Sequence, residues 1–265
     1  MEVHMDTGNG RIVTVKDVVI GEGIPKICVS LTAGTTEGIL SEAQELKDYP
    51  VDIMEWRADG FEDVMDGEKV RGVLTSLQQV LEGRPLLFTL RSDREGGALS
   101  VRPEVYAGLC VAAVQSGLVD LIDVEAFTED KVVREIIAEA RKAGVAVIAS
   151  YHDFGKTPSK DGMFQRLQKM GETGADILKI AVMPQSKSDV LTLLDATVTM
   201  KEQHPERPLV TMSMGQDGLI SRLTGEVFGS AMTFGSIGSR VSAPGQMDVM
   251  ELDRVMRIIH DNLGN

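Results

Sequence analysis

Short apolar runs rich in β-branched residues recur along the chain, and between them lie stretches whose apolar positions return every three or four residues. The runs are KICVSLTA (26–33), VDIMEWRAD (51–59), PLLFTLRS (85–92), LVDLIDVEAF (118–127), AVIASYHDF (146–154), ADILKIAVMP (175–184), PLVTMSMG (208–215) and EVFGSAMTFG (226–235). Each has the length and composition of a strand. The intervening KVVREIIAEARKAG (131–144) puts Val133, Ile136, Ile137 and Ala140 at helical spacing, and Gly144 supplies its stop. SDVLTLLDATVTMKEQ (188–203) repeats the pattern, with Ser188 as the expected N-cap.

Eight strand-helix units in about 250 residues are the size and rhythm of an α/β (β/α)8 TIM barrel, expected here as a single domain over residues 1–265. An open doubly wound sheet is the alternative fold, but it calls for a Gly-rich first turn, and none follows KICVSL. Upstream, RIVTVKDVVIGEGIP (11–25) sets Val13 and Val15 against Ile12, Thr14 and Lys16. That alternation predicts a β-hairpin closing the barrel bottom, within an N-terminal extension over residues 1–25.

In a barrel strand residues two apart share a face. Glu55, Arg57 and Asp59 therefore fall together, as do Asp123 with Glu125, Ser150 with His152, Lys179 with Ile177, Ala181 and Met183, and Met212 with Met214. Polar or sulfur-bearing residues thus collect in the later part of most strands, which in a barrel is the C-terminal rim where active sites are built. For Asp59, Asp123 and Glu125 a structural ion pair inside a wet barrel is an equal alternative.

Lys179 and His152 stand out for chemistry. Burying an amine without a partner is costly, and the neutral amine is the form that attacks carbonyls. A structural pairing of Lys179 with Glu55 or Glu125 is the alternative. His152 alone among four histidines lies on a predicted strand; His4 is in the N-terminal tail, His204 in the QHPERP loop and His260 in the last helix. A neutral imidazole one strand away from an amine makes a proton shuttle, where a lone core histidine would merely be satisfied in place. Two loops border these strands. RSDREGG (91–97) carries Arg91, Arg94 and Glu95 ahead of two glycines, and reads equally as a flexible, solvated charged loop. TFGSIGSRVSAPGQ (233–246) is open to three uses: a phosphate cradle, a lid, or a polar wall in which Ser242 and Gln246 bond a polyhydroxylated ligand.

Composition narrows the ligand more than the fold. With 43% hydrophobic and 25% charged residues in 265, the chain is an ordinary globular protein. Its net charge of −13 disfavours a nucleic-acid groove or an anionic membrane surface, both of which need clustered Lys and Arg. A small anionic substrate needs only a few local cations. The apolar runs fall well short of a membrane span, and MEVHMDTGNGR lacks the basic start and apolar core of a secretory signal, so the expected location is cytoplasmic. Cys28 and Cys110 sit in apolar segments and read as small buried hydrophobes, with no disulfide framework or Cys-based metal site.

EWRAD (55–59), TLRSDREGG (89–97), SYHDF (150–154), DILKIAVMP (176–184), TMSMG (211–215), SRLTGEVFGSAMTFG (221–235) and SAPGQ (242–246) resemble, in order and across nearly the whole chain, the type I 3-dehydroquinate dehydratases, lyases of the shikimate pathway. The resemblance implies syn elimination of water from 3-dehydroquinate through a lysine Schiff base, giving 3-dehydroshikimate for aromatic amino-acid biosynthesis. It implies Lys179 as the imine-forming amine, His152 as general base and then acid, and Glu95 as the group orienting His152. Arg222 would clamp the substrate carboxylate. Glu55, Arg57, Arg91, Ser242 and Gln246 would hold its hydroxyls and carbonyl region, Met212, Met214 and Phe234 would wall the site, and the SAPGQ loop would act as a lid. The family implies a homodimer with no metal and no organic cofactor. Two other readings rest on the residues alone: a metal-assisted enolising barrel using Glu55, Asp123 and Glu125, and a non-catalytic barrel binding a metabolite or partner protein.

Overall fold

The computed structural model describes residues 12–238 and 240–264. Residues 1–11, with His4, and Ser239 and Asn265 lie outside the described residues, so only residues 12–25 of the N-terminal extension are placed.

The described residues begin with an antiparallel hairpin, β1 (Val13–Val15) and β2 (Val18–Ile20), in register Val15 to Val18. Lys16 at its tip takes a positive φ of 51°, the backbone such tight turns demand. Eight parallel strands follow: β3 (Lys26–Leu31), β4 (Ile53–Arg57), β5 (Leu86–Thr89), β6 (Leu121–Glu125), β7 (Ala146–Asp153), β8 (Ile177–Val182), β9 (Leu209–Ser213) and β10 (Met232–Gly235). Each pairs with the next from β3 to β9, β10 pairs with β3, and a parallel bridge between Leu209 and Ser230 closes the ring. Around it lie α1 (Thr36–Glu45), α2 (Gly67–Val80), α3 (Pro103–Gln115), α4 (Asp130–Ala143), α5 (Lys160–Glu172), α6 (Lys187–Gln203), the short α7 (Leu219–Leu223) and α8 (Gly225–Phe228), and α9 (Val249–Asn262). This is the (β/α)8 barrel that the spacing of apolar runs predicts.

Two local expectations need correction. The run EVFGSAMTFG is not one strand: Glu226–Phe228 belongs to α8, Gly229 ends it with φ 97°, and only Met232–Gly235 is extended. The N-cap of α6 is Ser186, not Ser188; its hydroxyl accepts from the Asp189 amide while the Asp189 carboxylate accepts from the Ser186 amide, a reciprocal capping box. Gly144 ends α4 as expected, with φ 70°.

Strand parity sorts two cores. Outward residues such as Trp56, Phe88, Ile122 and Leu178 pack against the helices. Inward residues of the strand beginnings, among them Cys28, Ile53, Leu87, Leu121, Ile148 and Ile177, pack with Val13, Val15 and Ile20 of the hairpin, which plugs the N-terminal end of the barrel. Lys16 fixes the plug: its Nζ donates to the Arg84 carbonyl at 3.0 Å and meets Asp120 at 2.8 Å. Both cysteines are free and buried. Among the described residues no helix is long and apolar enough to cross a membrane.

Candidate active site

Two residues further along the same inward faces, oil gives way to charge. In register, Glu125 lies beside Ser150 and Ser150 beside Lys179, while His152 stands one layer higher next to Ala181. Lys179 is 4% exposed. Its Nζ donates to Asp123 Oδ2 at 3.0 Å and lies 4.4 Å from the centre of the Phe234 ring. Its ionic partner is thus neither Glu55 nor Glu125. Glu55 accepts from the hydroxyls of Thr89, at 2.8 Å, and Ser30. Glu125 turns to the loop after β5, accepting from the Ser92 amide and hydroxyl, both at 2.7 Å.

Arg91 is the hub of this charged layer. Its guanidinium meets Asp123 at 2.7 Å, the Ser150 hydroxyl at 3.0 Å, Glu125 at 3.3 Å and Glu95 at 3.5 Å. Burial alone would raise the Asp123 carboxyl, but Arg91 and then Lys179 outweigh it and hold Asp123 well below the usual carboxylate range. Glu95 has the opposite balance: burial, opposed by Arg91 but helped by Glu125 and Asp123, pushes it up to about 8. Burial, with Arg91 and Lys179 adding to it, drives the His152 imidazole well below its ordinary value, so it is neutral at pH 7 and able to take a proton. Glu95 Oε2 lies 2.8 Å from His152 Nδ1 and accepts the His152 amide at 3.1 Å, which fixes the ring.

The loop that carries Glu95 is not the flexible, solvated segment its charges suggest. Ser92 and Glu95 are buried, and Asp93–Glu95 forms a 3-10 turn. Gly96 leaves that turn with φ 83°, and a Cβ there would strike the Phe154 ring; a Cβ on Gly97 would collide with the Arg91 carbonyl. The two glycines serve close packing, not mobility. Asp59 ties in as well, holding Arg57 through two contacts at 2.8 and 2.9 Å and accepting the Arg91 and Ala98 amides.

The opposite wall comes from α7 and the loop after β10. Arg222 is 1% exposed; its Nη1 reaches Met212 Sδ at 3.5 Å and its Nη2 donates to the Pro244 carbonyl at 3.0 Å. Its Nε is buried without a partner among the described residues, and burial draws the guanidinium down to about 10. A buried cation with a free N–H calls for an anion. The loop is drawn over the site by a Ser242–Ser30 hydroxyl contact at 2.9 Å, by Gln246, whose Nε2 donates to Ser242 at 2.9 Å, and by the Gly215 amide donating to Pro244 at 3.0 Å.

These groups line one cavity. Its lining contains Lys179, His152, Glu95, Glu55, Arg57, Arg91, Arg222, Ser242, Gln246, Met212, Met214 and Phe234, the twelve residues the family resemblance implies, but not Asp59, Asp123 or Glu125. Phe154 and Ala243 also line it and were not foreseen. Ser30 and Thr89, which hold Glu55, were likewise missed; a lone hydroxyl sharing the inward parity of Cys28 was the available sign for Ser30. Among the described residues no group of three or more His, Cys, Asp or Glu side chains is placed to hold a metal ion, and the inward carboxylates are each taken up by protein donors. The arrangement brings together a buried amine, a neutral imidazole held by the Glu95 carboxyl, and a cation lacking its anion.

Comparison with known proteins places this constellation. The family model described as type I 3-dehydroquinase matches residues 27–263. The chain belongs to the type I 3-dehydroquinase family. A 3-dehydroquinate dehydratase of Salmonella agona is 51% identical over 250 residues, covering 94% of this chain and 99% of that protein. The structure of the type I 3-dehydroquinate dehydratase of Clostridium difficile with covalently modified comenic acid is similar at a TM-score of 0.92 and 49% identity, covering 95% of this chain and 99% of that one. That of the 3-dehydroquinate dehydratase of Geobacillus kaustophilus gives 0.91 and 35%, covering 96% and 98%. The type I 3-dehydroquinase match begins after the hairpin, so β1 and β2 lie outside the segment the family model spans.

Proposed function

We propose that this protein removes water from 3-dehydroquinate to give 3-dehydroshikimate, with Lys179 as the covalent catalyst. The observation that carries the reading is the placement of Lys179 and His152 on adjacent strands, facing one cavity with Arg222 on its far side. The Lys179 amine adds to the C3 ketone and water leaves, forming a protonated imine. That cation draws electrons from the neighbouring C–H bond, so His152 Nε2 removes the C2 proton and the electron pair moves to nitrogen as an enamine. The enamine then expels the C1 hydroxyl, which departs as water with the proton returned by His152, and hydrolysis of the regenerated imine frees the amine. Glu95 holds the ring in position from Nδ1.

The substrate carboxylate supplies the anion that Arg222 lacks, in a bidentate grip that lysine could not offer. Glu55, Arg57, Arg91, Ser242 and Gln246 line the volume left for hydroxyls and the carbonyl region, and Met212, Met214 and Phe234 exclude water. The relative solved with covalently modified comenic acid agrees with a pocket that offers a nucleophile. With this reading go the family's expected habits: one domain over residues 1–265, a cytoplasmic homodimer, no metal or organic cofactor, and a place in the shikimate pathway. Borohydride reduction in the presence of 3-dehydroquinate is the test. Ligand mass should appear irreversibly on Lys179, and an unmodified Lys179 under turnover conditions sinks the reading.

A further inference from the structure

The proposed chemistry uses Lys179, His152 and Glu95 but leaves Asp123 without a task, although it is the one hydrogen-bond acceptor the structure gives Lys179 Nζ among the described residues. Its two oxygens are divided. Oδ1 pairs with Arg91 Nη2 at 2.7 Å and accepts from the Ser150 hydroxyl at 2.6 Å, whereas Oδ2 accepts from Lys179 and from no other described residue. Opposite Oδ2, the Phe234 ring presents its electron-rich face to the same nitrogen at 4.4 Å. The nitrogen thus sits between a dedicated carboxylate oxygen and an aromatic face.

An ammonium has three N–H bonds and can satisfy them in many directions, but the protonated imine of Lys179 has only one. That single N–H needs an acceptor on the side away from the substrate carbon, within a site that excludes water. We infer that Asp123 Oδ2 is that acceptor, making Asp123 a catalytic residue that keeps the imine protonated through the reaction. Resting on the Schiff-base reading, this assigns Asp123 to a distinct step. The protonated imine is the electron sink for C2 deprotonation, and an imine that lost its proton would draw few electrons from that bond.

Position separates this role from a merely structural ion pair. The charged and titratable groups around Asp123 are Arg91 after β5, Glu95 in the following turn, Glu125 on its own strand, His152 on β7, Lys179 on β8, Cys28 on β3, and Tyr106 and Cys110 on α3. Arg91 and Ser150 already fasten Oδ1, so orientation of Asp123 does not depend on Lys179. Removing the negative charge should therefore spare the fold more than the chemistry.

The test compares Asp123→Asn with Asp123→Glu in the full chain. For a folded D123N we expect kcat lower by about 10²-fold, the scale for losing one oriented charge-stabilising contact. We also expect the alkaline limb of its kcat profile to move to lower pH, as the imine loses its proton earlier, and the fraction of Lys179 trapped by borohydride at saturating 3-dehydroquinate to fall. D123E, which keeps the charge, should recover at least part of all three. A folded D123N with wild-type kcat and an unmoved alkaline limb overturns the inference. If D123N does not fold, Ser150→Ala decides: loosening Oδ1 should shift the same limb in the same direction by less, and an unmoved limb overturns the inference. Failure of borohydride to trap ligand on wild-type Lys179 would instead strike the Schiff-base reading itself, so the two failures are distinguishable.

Discussion

The two ends of the barrel are built from the same eight strands and the same inward faces, yet they obey different physics. At the hairpin end Ile53, Leu121, Ile148 and Ile177 meet the plug of Val13, Val15 and Ile20, and association depends on area removed from water. Two residues later those strands present Glu55, Asp123, Ser150 and Lys179, all buried, and this layer persists only because each charge or hydroxyl has a specific partner. The first layer tolerates approximate shape. In the second, loss of one member leaves another uncompensated, a change that typically costs about 3–5 kcal/mol for a buried pair. A barrel separates stability from chemistry by distance along the strand, not by using different strands.

The sharpest way to break this division is Lys179→Ala. It should abolish turnover of 3-dehydroquinate by about 10⁴-fold or more, the scale seen when a covalent nucleophile is deleted. A steady-state assay of the conjugated enone product checks it, and appreciable turnover would return the metal-assisted reading to consideration. Next comes His152→Ala, expected to lower kcat by about 10²–10⁴-fold, the usual worth of a positioned acid–base. Borohydride trapping on Lys179 should survive in that variant, and if trapping is lost as well, His152 also serves imine formation.

At the other end Ile148→Ala should do the reverse. We expect a loss of about 2–5 kcal/mol of stability in denaturant unfolding, from the cavity left in a close-packed layer, with kcat of the folded protein unchanged. A fall in kcat would show that the two ends are mechanically coupled. The smallest effect expected is that of Glu95→Gln. Since burial raises the folded-state carboxyl to about 8, above its ordinary value, its favourable contribution is complete below about pH 4 and is lost as pH rises through about 8. The neutral amide escapes that loss, so E95Q should melt a few degrees above the wild type at pH 9 and level with it at pH 4. Its activity should fall most at pH 9, where the wild type holds the imidazole with a carboxylate that the amide cannot replace.

Strand parity read from the sequence carried the inward face correctly as far as single residues: Lys179, His152 and Glu55 lie where alternation puts them. It failed over who touches whom. Glu125 shares the Lys179 layer by register, yet a carboxylate side chain can reach over the rim, and Ser92 with Arg91 claims it. Lys179 instead meets Asp123, whose other oxygen Arg91 holds, and neither contact is visible along the chain. The glycines of RSDREGG misled for a similar reason. Their purpose is set by Phe154 and by the Arg91 carbonyl, which the fold brings against them. The Ser186 cap was local enough to be legible, since Asp189 three residues on completes the box, but a second serine at 188 obscured it.

The Pro244 carbonyl accepts from the Gly215 amide and from Arg222 Nη2 at once, each at 3.0 Å. One oxygen therefore joins the covering loop both to the end of β9 and to Arg222. The loop cannot lift without surrendering the bond to Arg222, and Arg222 cannot swing out to release an anion without loosening the loop. On the proposed reading recognition and egress become a single event, and this guanidinium would set a ligand's residence time as well as its affinity.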